Sequence, residues 1–169
     1  EIDPDDAEAN RIMGSMQRAK GNFDESIMHH KHAAELCPSD LYISSKLCEV
    51  LMYDGRLVEA ENELSRAKEI NPTGSDLLLL IEGTLKFWQE DFIVCKKLLS
   101  QIRIPSPMVL LFVAAAEYYL GNKESAITSV AKIENDYGVT VQRLFAGESY
   151  RLENMKAKIA PIFPLRQVA

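Results

Sequence analysis

Glu1-Ile2-Asp3-Pro4, Glu35-Leu36-Cys37-Pro38 and Glu69-Ile70-Asn71-Pro72 carry one pattern, Glu-[Ile/Leu]-x-Pro, and their prolines fall at positions 4, 38 and 72, two steps of 34. A second marker keeps the same interval: Gly21-Asn22-Phe23-Asp24-Glu25 returns as Gly55-Arg56-Leu57-Val58-Glu59. A period of this length signals stacked supersecondary units. Proline stops one helix and pre-sets the backbone for the first turn of the next. Glycine allows the tight turn between two antiparallel helices.

Working outward, the markers drift. Asp91-Phe92 comes 35 residues after Arg56-Leu57, and Gly121-Asn122-Lys123-Glu124 restores the turn after a shortened connection. Between turns, Leu47, Leu51, Leu57, Ala60, Leu64, Ala67 and Ile70 recur at threes and fours, the spacing of amphipathic helices. No useful length alternates with period two, so the expected class is all-α. Ser39-Asp40, Ser75-Asp76 and Ser106-Pro107 stand where helix N-caps belong.

At these residues the sequence resembles the tetratricopeptide repeat family. That family places a small residue midway along the first helix, Gly at the turn, a large apolar residue after it, two small residues on the second helix and a closing Pro. The first repeat offers Gly14, Gly21, Phe23, Ser26, Ala33 and Pro38; the second offers Cys48, Gly55, Leu57, Ala60, Ala67 and Pro72. The third is looser, with Gly83, Phe92, Cys95, Ile102 and Pro107, and has Glu90-Asp91 in place of the turn Gly. The fourth has Ala114, Gly121, Ala126 and Ile133 but no closing Pro.

The resemblance covers about residues 7–137 and implies a right-handed superhelical solenoid of four helix-turn-helix hairpins in a single domain. The repeats run approximately over 7–40, 41–74, 75–107 and 107–137, with a capping helix and an extended tail over 139–169. His29-His30-Lys31-His32-Ala33 before Cys37-Pro38-Ser39-Asp40, together with the weak last repeat, also resembles the C-terminal arrays of bacterial adenylate cyclase-like and winged-helix regulatory proteins.

Small residues have a packing reason, since helices approach to about 8–10 Å only where side chains allow. Gly14, Cys48, Ala60, Ala67, Cys95, Ala126 and Ala131 suit such contacts, which makes Cys48 and Cys95 inert thiols in alanine-sized slots.

Composition narrows the function. The chain has 169 residues, a formal net charge of -6, and 19 basic residues scattered among 25 acidic ones, which argues against a nucleic-acid surface. Leu77–Ile81 and Met108–Ala116 are both too short to cross a bilayer, and no signal peptide is evident. Cys37, Cys48 and Cys95 lack the paired spacing of a metal or redox centre and read as reduced thiols of a cytoplasmic protein. The chain begins with Glu1 rather than Met, the expectation being a piece of something longer.

No nucleophile elbow, P-loop or zincin helix is present, so no catalysis and no cofactor are expected. His29 and His32 share a helix face near Cys37, but a structural zinc needs four ligands, and His30 falls where the family buries an aromatic. No metal is expected.

The expected function is an interaction scaffold that binds a protein or peptide in a groove lined by the first helices of the hairpins. By helical spacing the groove residues are Arg11, Arg18, Tyr42, Lys46, Met52, Tyr53, Leu79, Lys86, Phe87, Leu111, Tyr118 and Tyr119. Their character shifts from charged to aromatic along the chain, and rigid aromatics suit a peptide surface. An alternative stays open in which Met52, Phe87 and Tyr118 are covered by a neighbouring repeat or by the chain's own tail.

Some family members clamp a terminal carboxylate with Lys, Asn and Arg; Arg11, Lys46 and Lys86 are present, but the paired Asn residues are missing. The alternative function is a regulatory or sensory segment of a larger signalling enzyme or transcription regulator.

Beyond Val139 the pattern changes. Val141, Leu144, Phe145, Tyr150, Leu152, Met155 and Ile159 suggest one capping helix over roughly 140–158. Pro161-Ile162-Phe163-Pro164-Leu165 suggests an extended apolar tail that could lie in the aromatic groove. The first hairpin has no cap, so its flank, or the tail, offers a route to self-association.

Overall fold

The computed structural model describes residues 5–146, 148–151 and 153–165, at Glu153 the backbone alone. The chain forms two compact units, Glu1–Ile81 with Ser149–Leu152, and Glu82–Glu148 with Glu153–Ala169. Every regular element among the described residues is helical.

The first unit contains α1 (Ala7–Ala19), α2 (Phe23–Leu36), α3 (Leu41–Tyr53), α4 (Leu57–Ile70) and the first turns of α5 (Asp76–Trp88). Helices α1 and α3 begin where short polar side chains satisfy free backbone donors. Asp6 accepts from the N–H groups of Glu8 and Ala9 at 2.8 and 3.0 Å, and Asp40 from those of Tyr42 and Ile43 at 2.8 and 3.1 Å. Gly21 and Gly55 turn the hairpins with φ of 83°, a left-handed backbone that costs glycine little.

Helix α1 packs on α2, α2 on α3 and α3 on α4, and α1 also meets α3. Phe23, Ile27, Ala33, Leu47, Cys48, Ala60, Leu64 and Ala67 fill the interior. The approach is closest at Gly14, where an added Cβ would stand 2.7 Å from the His30 ring, and the Gly14 carbonyl accepts from Ser26 Oγ at 2.7 Å. His30 is buried as expected for the family's aromatic site.

The second unit contains the rest of α5, α6 (Phe92–Leu99), α7 (Pro107–Tyr119), α8 (Lys123–Tyr137), α9 (Val141–Ala146), α10 (Glu153–Ile159) and a 3₁₀ turn, Ala160–Ile162. Ser106 caps α7 through the Val109 N–H, and Pro107 opens it. In place of a closing Pro, α8 ends on Gly138 with φ 65°. Helix α7 touches α6, α8, α9, α10 and the 3₁₀ turn, so it is buried nearly all round from Val109 to Glu117. Each side chain of the size of Leu111 or Phe112 withdrawn from water contributes about 1.5–3 kcal/mol.

Two expectations are corrected. The helix expected over 140–158 is two short helices, α9 and α10, joined by non-helical chain at the described residues 148–151. The Gly147-Glu148-Ser149 stretch has weak helix propensity, and Tyr150 and Arg151 bind the first unit instead of continuing a helix. The expected extended segment at Pro161–Leu165 starts as the 3₁₀ turn, which accepts Pro161 because the ring sits in its opening positions; residues 166–169 of that tail lie outside the described residues. Where the third repeat lacks a turn Gly, Glu90 itself takes the left-handed backbone with φ 67°, matching Gly21, Gly55 and Gly121.

Candidate protein-binding surface

In the first unit, α1 and α3 present one face in common. Arg11 and Arg18 lie two turns apart on α1. Tyr42, Lys46, Glu49 and Tyr53 follow one another at threes and fours on α3, which places them on one side of that helix. The Arg11 guanidinium stands 5.1 Å from the centre of the Tyr42 ring, and Lys46 Nζ stands 5.5 Å from the same ring. Arg18 stands 4.8 Å from the Tyr53 ring. Cations over aromatic faces are held by the ring quadrupole.

Carboxylates fix the cations. Arg11 donates to Glu8 through Nε at 2.7 Å and through a terminal nitrogen at 2.5 Å; this hydrogen bonding lowers the Glu8 carboxyl and raises the Arg11 guanidinium from their usual values. Lys46 donates to Glu49 at 2.6 Å, and Arg18 reaches Glu49 at 4.0 Å. Tyr42 remains 48% exposed. The face is therefore an aromatic platform ringed by ordered charges. Met52 is buried, and Leu79, on α5, is half-buried.

The groove residues of the second unit have a different fate. Phe87 and Leu111 are fully buried. Phe87 meets Trp88, Phe92 and Phe112 edge-on with ring centres 5.1–5.5 Å apart, a core cluster with no ring surface left for a ligand. Tyr119 stacks on Phe92 at 4.6 Å, and its hydroxyl donates to the Lys158 carbonyl at 2.9 Å; desolvation raises its pKa. Tyr118 packs edge-on against Tyr119, and Lys86 donates to Gln89 at 2.8 Å. Lys158 Nζ bonds Glu90 at 2.7 Å. Phe87 is covered by the rings of Trp88, Phe92 and Phe112, while α10 and the 3₁₀ turn lie on α7.

Sequence reasoning missed a cluster in the first unit. Tyr150 is buried with its ring centre 4.6 Å from that of Tyr53, at 65°. The Arg151 N–H donates to the Tyr53 carbonyl at 3.0 Å. Its guanidinium pairs with Asp54 and, at 2.9 Å, with Asp24, and stands 5.6 Å from the centre of the Phe23 ring. Arg56 binds the same two carboxylates, at 2.6 Å to Asp54 and 3.2 Å to Asp24. Two acids at successive hairpin turns were the signal available, but it does not say which arginines they hold.

Histidines and cysteines show no metal geometry. His29 Nδ1 lies 3.1 Å from Asn10 Oδ1 and His32 lies 3.7 Å from Glu35. Among the described residues no three His, Cys, Asp or Glu side chains gather to hold an ion. Burial pushes the Cys48 and Cys95 thiols up to about 12, which leaves them protonated and unreactive. No described helix is long and apolar enough to cross a membrane.

No family model and no curated protein sequence matches the chain. Solved structures do. The chain is similar to TTC0263, a thermophilic TPR protein of Thermus thermophilus, with a TM-score of 0.71 at 18% identity over 95% of this chain and 82% of that one. It is similar to MamA, with a TM-score of 0.59 at 18% identity over 92% of this chain and 91% of that one. It is also similar to pilF of Pseudomonas aeruginosa, with a TM-score of 0.59 at 12% identity over 92% and 68%. At such identities the likeness speaks to architecture, and that architecture is the tetratricopeptide repeat fold.

Proposed function

We propose that this chain is a tetratricopeptide-type interaction module, without catalysis, that binds a protein or peptide segment on the shared face of α1 and α3. The observation that carries this reading is Tyr42: half-exposed on a helix otherwise well buried, with Arg11 and Lys46 fixed against its ring. Tyr and Arg are the residues that most often dominate binding energy, and cations already held by carboxylates lose little further freedom when a ligand arrives. Buried, protonated Cys48 and Cys95 suit a reducing compartment such as the cytoplasm.

The test is selection of peptide ligands from a displayed library, followed by calorimetry on wild type, Tyr42→Ala and Arg18→Ala/Lys46→Ala. Weakening of about tenfold or more in each variant, from loss of an aromatic or cationic anchor, is expected. Ligands that bind all three proteins equally would remove the assignment.

A further inference from the structure

We infer that the notch lined by Phe23, Asp24, Tyr53 and Asp54 is a docking site for an aromatic–arginine dipeptide on a partner protein, and that the chain's own Tyr150-Arg151 occupies it as a displaceable stand-in. The resident dipeptide displays the chemistry that the notch reads. The ring is taken by Tyr53 at 4.6 Å, the backbone N–H by the Tyr53 carbonyl at 3.0 Å, and the guanidinium by two carboxylates from successive hairpin turns. The Tyr53 carbonyl belongs to the C-terminal end of α3, where the helix dipole favours a cation. A planar fork that bridges Asp24 and Asp54 while lying near the Phe23 ring is a task for arginine, which the point charge of lysine does not match.

Two further observations make the occupant replaceable. Asp54 is 2% exposed at its side chain, and a buried carboxylate stripped of its partner is strongly destabilising. Arg56, however, stays on both acids at 2.6 and 3.2 Å, so the departure of Arg151 leaves neither unpaired. Beside Arg151 an open depression of about 440 Å³, bordered by Gly21, Phe23 and Met28, gives residues flanking an incoming dipeptide somewhere to lie. The inference does not rest on Tyr42, Arg11 or Lys46 of the α1–α3 face, although Tyr53, against which Arg18 stands, belongs to both.

The experiment titrates the peptide Glu-Ser-Tyr-Arg-Leu-Glu, the sequence of residues 148–153, into the isotopically labelled full chain as wild type and as Tyr150→Ala/Arg151→Ala. A tethered occupant competes at an effective concentration near millimolar, so the emptied variant should bind the peptide about tenfold more tightly than wild type. Amide shifts should centre on Phe23, Tyr53 and Asp54. Lysine for arginine in the peptide, or Asp24→Asn in the protein, should weaken binding severalfold.

No binding to the emptied, folded variant at millimolar peptide, equal affinity for both proteins, or shifts centred elsewhere would overturn the proposal. Should the double variant not fold, Arg151→Ala, which keeps the Tyr150 packing, is read by the same criteria. Concentration-dependent dimerisation of wild type that the double variant lacks would reassign the notch to a second copy and also overturn it. Loss of library-selected ligands on Tyr42→Ala tests the α1–α3 face and leaves this result unchanged.

Discussion

Helices α1 and α7 occupy the same place in their hairpins, yet one remains half-wet and the other is enclosed. On α1, Ile12 and Met16 are 46% and 48% exposed, and Asn10 and Gly14 are its only buried residues. On α7, eight of thirteen residues are buried, Glu117 among them, held by Lys96 at 2.8 Å and Asn122 at 2.7 Å. The difference follows from what lies on each. Helix α1 has α2 and part of α3; α7 has α6 and α8 and also α9, α10 and the 3₁₀ turn, with Ile159 and Ile162 fully buried. A repeat position therefore fixes a helix and its orientation in the hairpin, and the chain that returns to it decides whether its remaining face can bind anything.

The sharpest way to break that contrast is to thin the lid over α7. Ile159→Ala or Ile162→Ala should each cost about 2–5 kcal/mol in denaturant unfolding, because a fully buried Ile leaves a cavity. A smaller loss would mean that α10 and the turn rest loosely on α7.

In the first unit, His30 is buried, its Nδ1 makes no hydrogen bond, and burial first, then Lys46, Arg11, Arg18 and His29, lowers its pKa from 6.5 to about 4. The unfolded chain then binds the proton that the folded chain refuses between these values. Stability is unaffected above pH 6.5 and falls as pH drops towards 4, by about 3 kcal/mol in total. Urea titrations at pH 7 and pH 4 should show that difference, and His30→Leu should flatten it.

Next in size is the close approach in the second unit, where a Cβ on Gly83 would meet Leu99 Cδ2 and Cγ at 2.5 and 2.6 Å. Gly83→Ala should destabilise by about 1–3 kcal/mol through overpacking, although alanine is the better helix former; a stabilised variant would show that α6 can shift.

Glu90→Gly should act in the other direction. Relief of a left-handed non-glycine backbone should raise the melting temperature by about 2–4 °C despite loss of the Lys158 pair, and an unchanged or lower value would show that the pair matters more. The smallest effect should come from Ile12→Ser and Met16→Ser, within about 0.5 kcal/mol of wild type by thermal melting; a larger loss would mean that the α1 face is covered in solution.

Much of this was readable in advance at particular residues. Pro38 and Pro72 mark the connections after α2 and α4, Gly21, Gly55 and Gly121 adopt the positive φ that their turns require, and Asp40 and Ser106 cap the helices they precede. Each works through its nearest neighbours along the chain, so each leaves a local trace. Tyr42 and Lys46 were also found on one side of α3, because helical spacing alone puts them there; the packing of α1 on α3 brings Arg11 to them. Phe87 and Leu111 had the same spacing but lie in the core, because the rings of Trp88, Phe92 and Phe112 close on Phe87 and α7 is packed by chain that helical period cannot place.

The sequence by itself determined an all-helical chain, the positions of its turns and the pairing of its early helices, since 34-residue punctuation and a 3.6-residue apolar period act over short distances. Only the tertiary structure decided that α9 and α10 are separate, that Tyr150 and Arg151 sit on Tyr53, Asp24 and Asp54, and that Lys158 pairs with Glu90. Those choices depend on which carboxylate, carbonyl or ring is free when distant segments meet, and burial makes that meeting strong while local propensity says nothing about it.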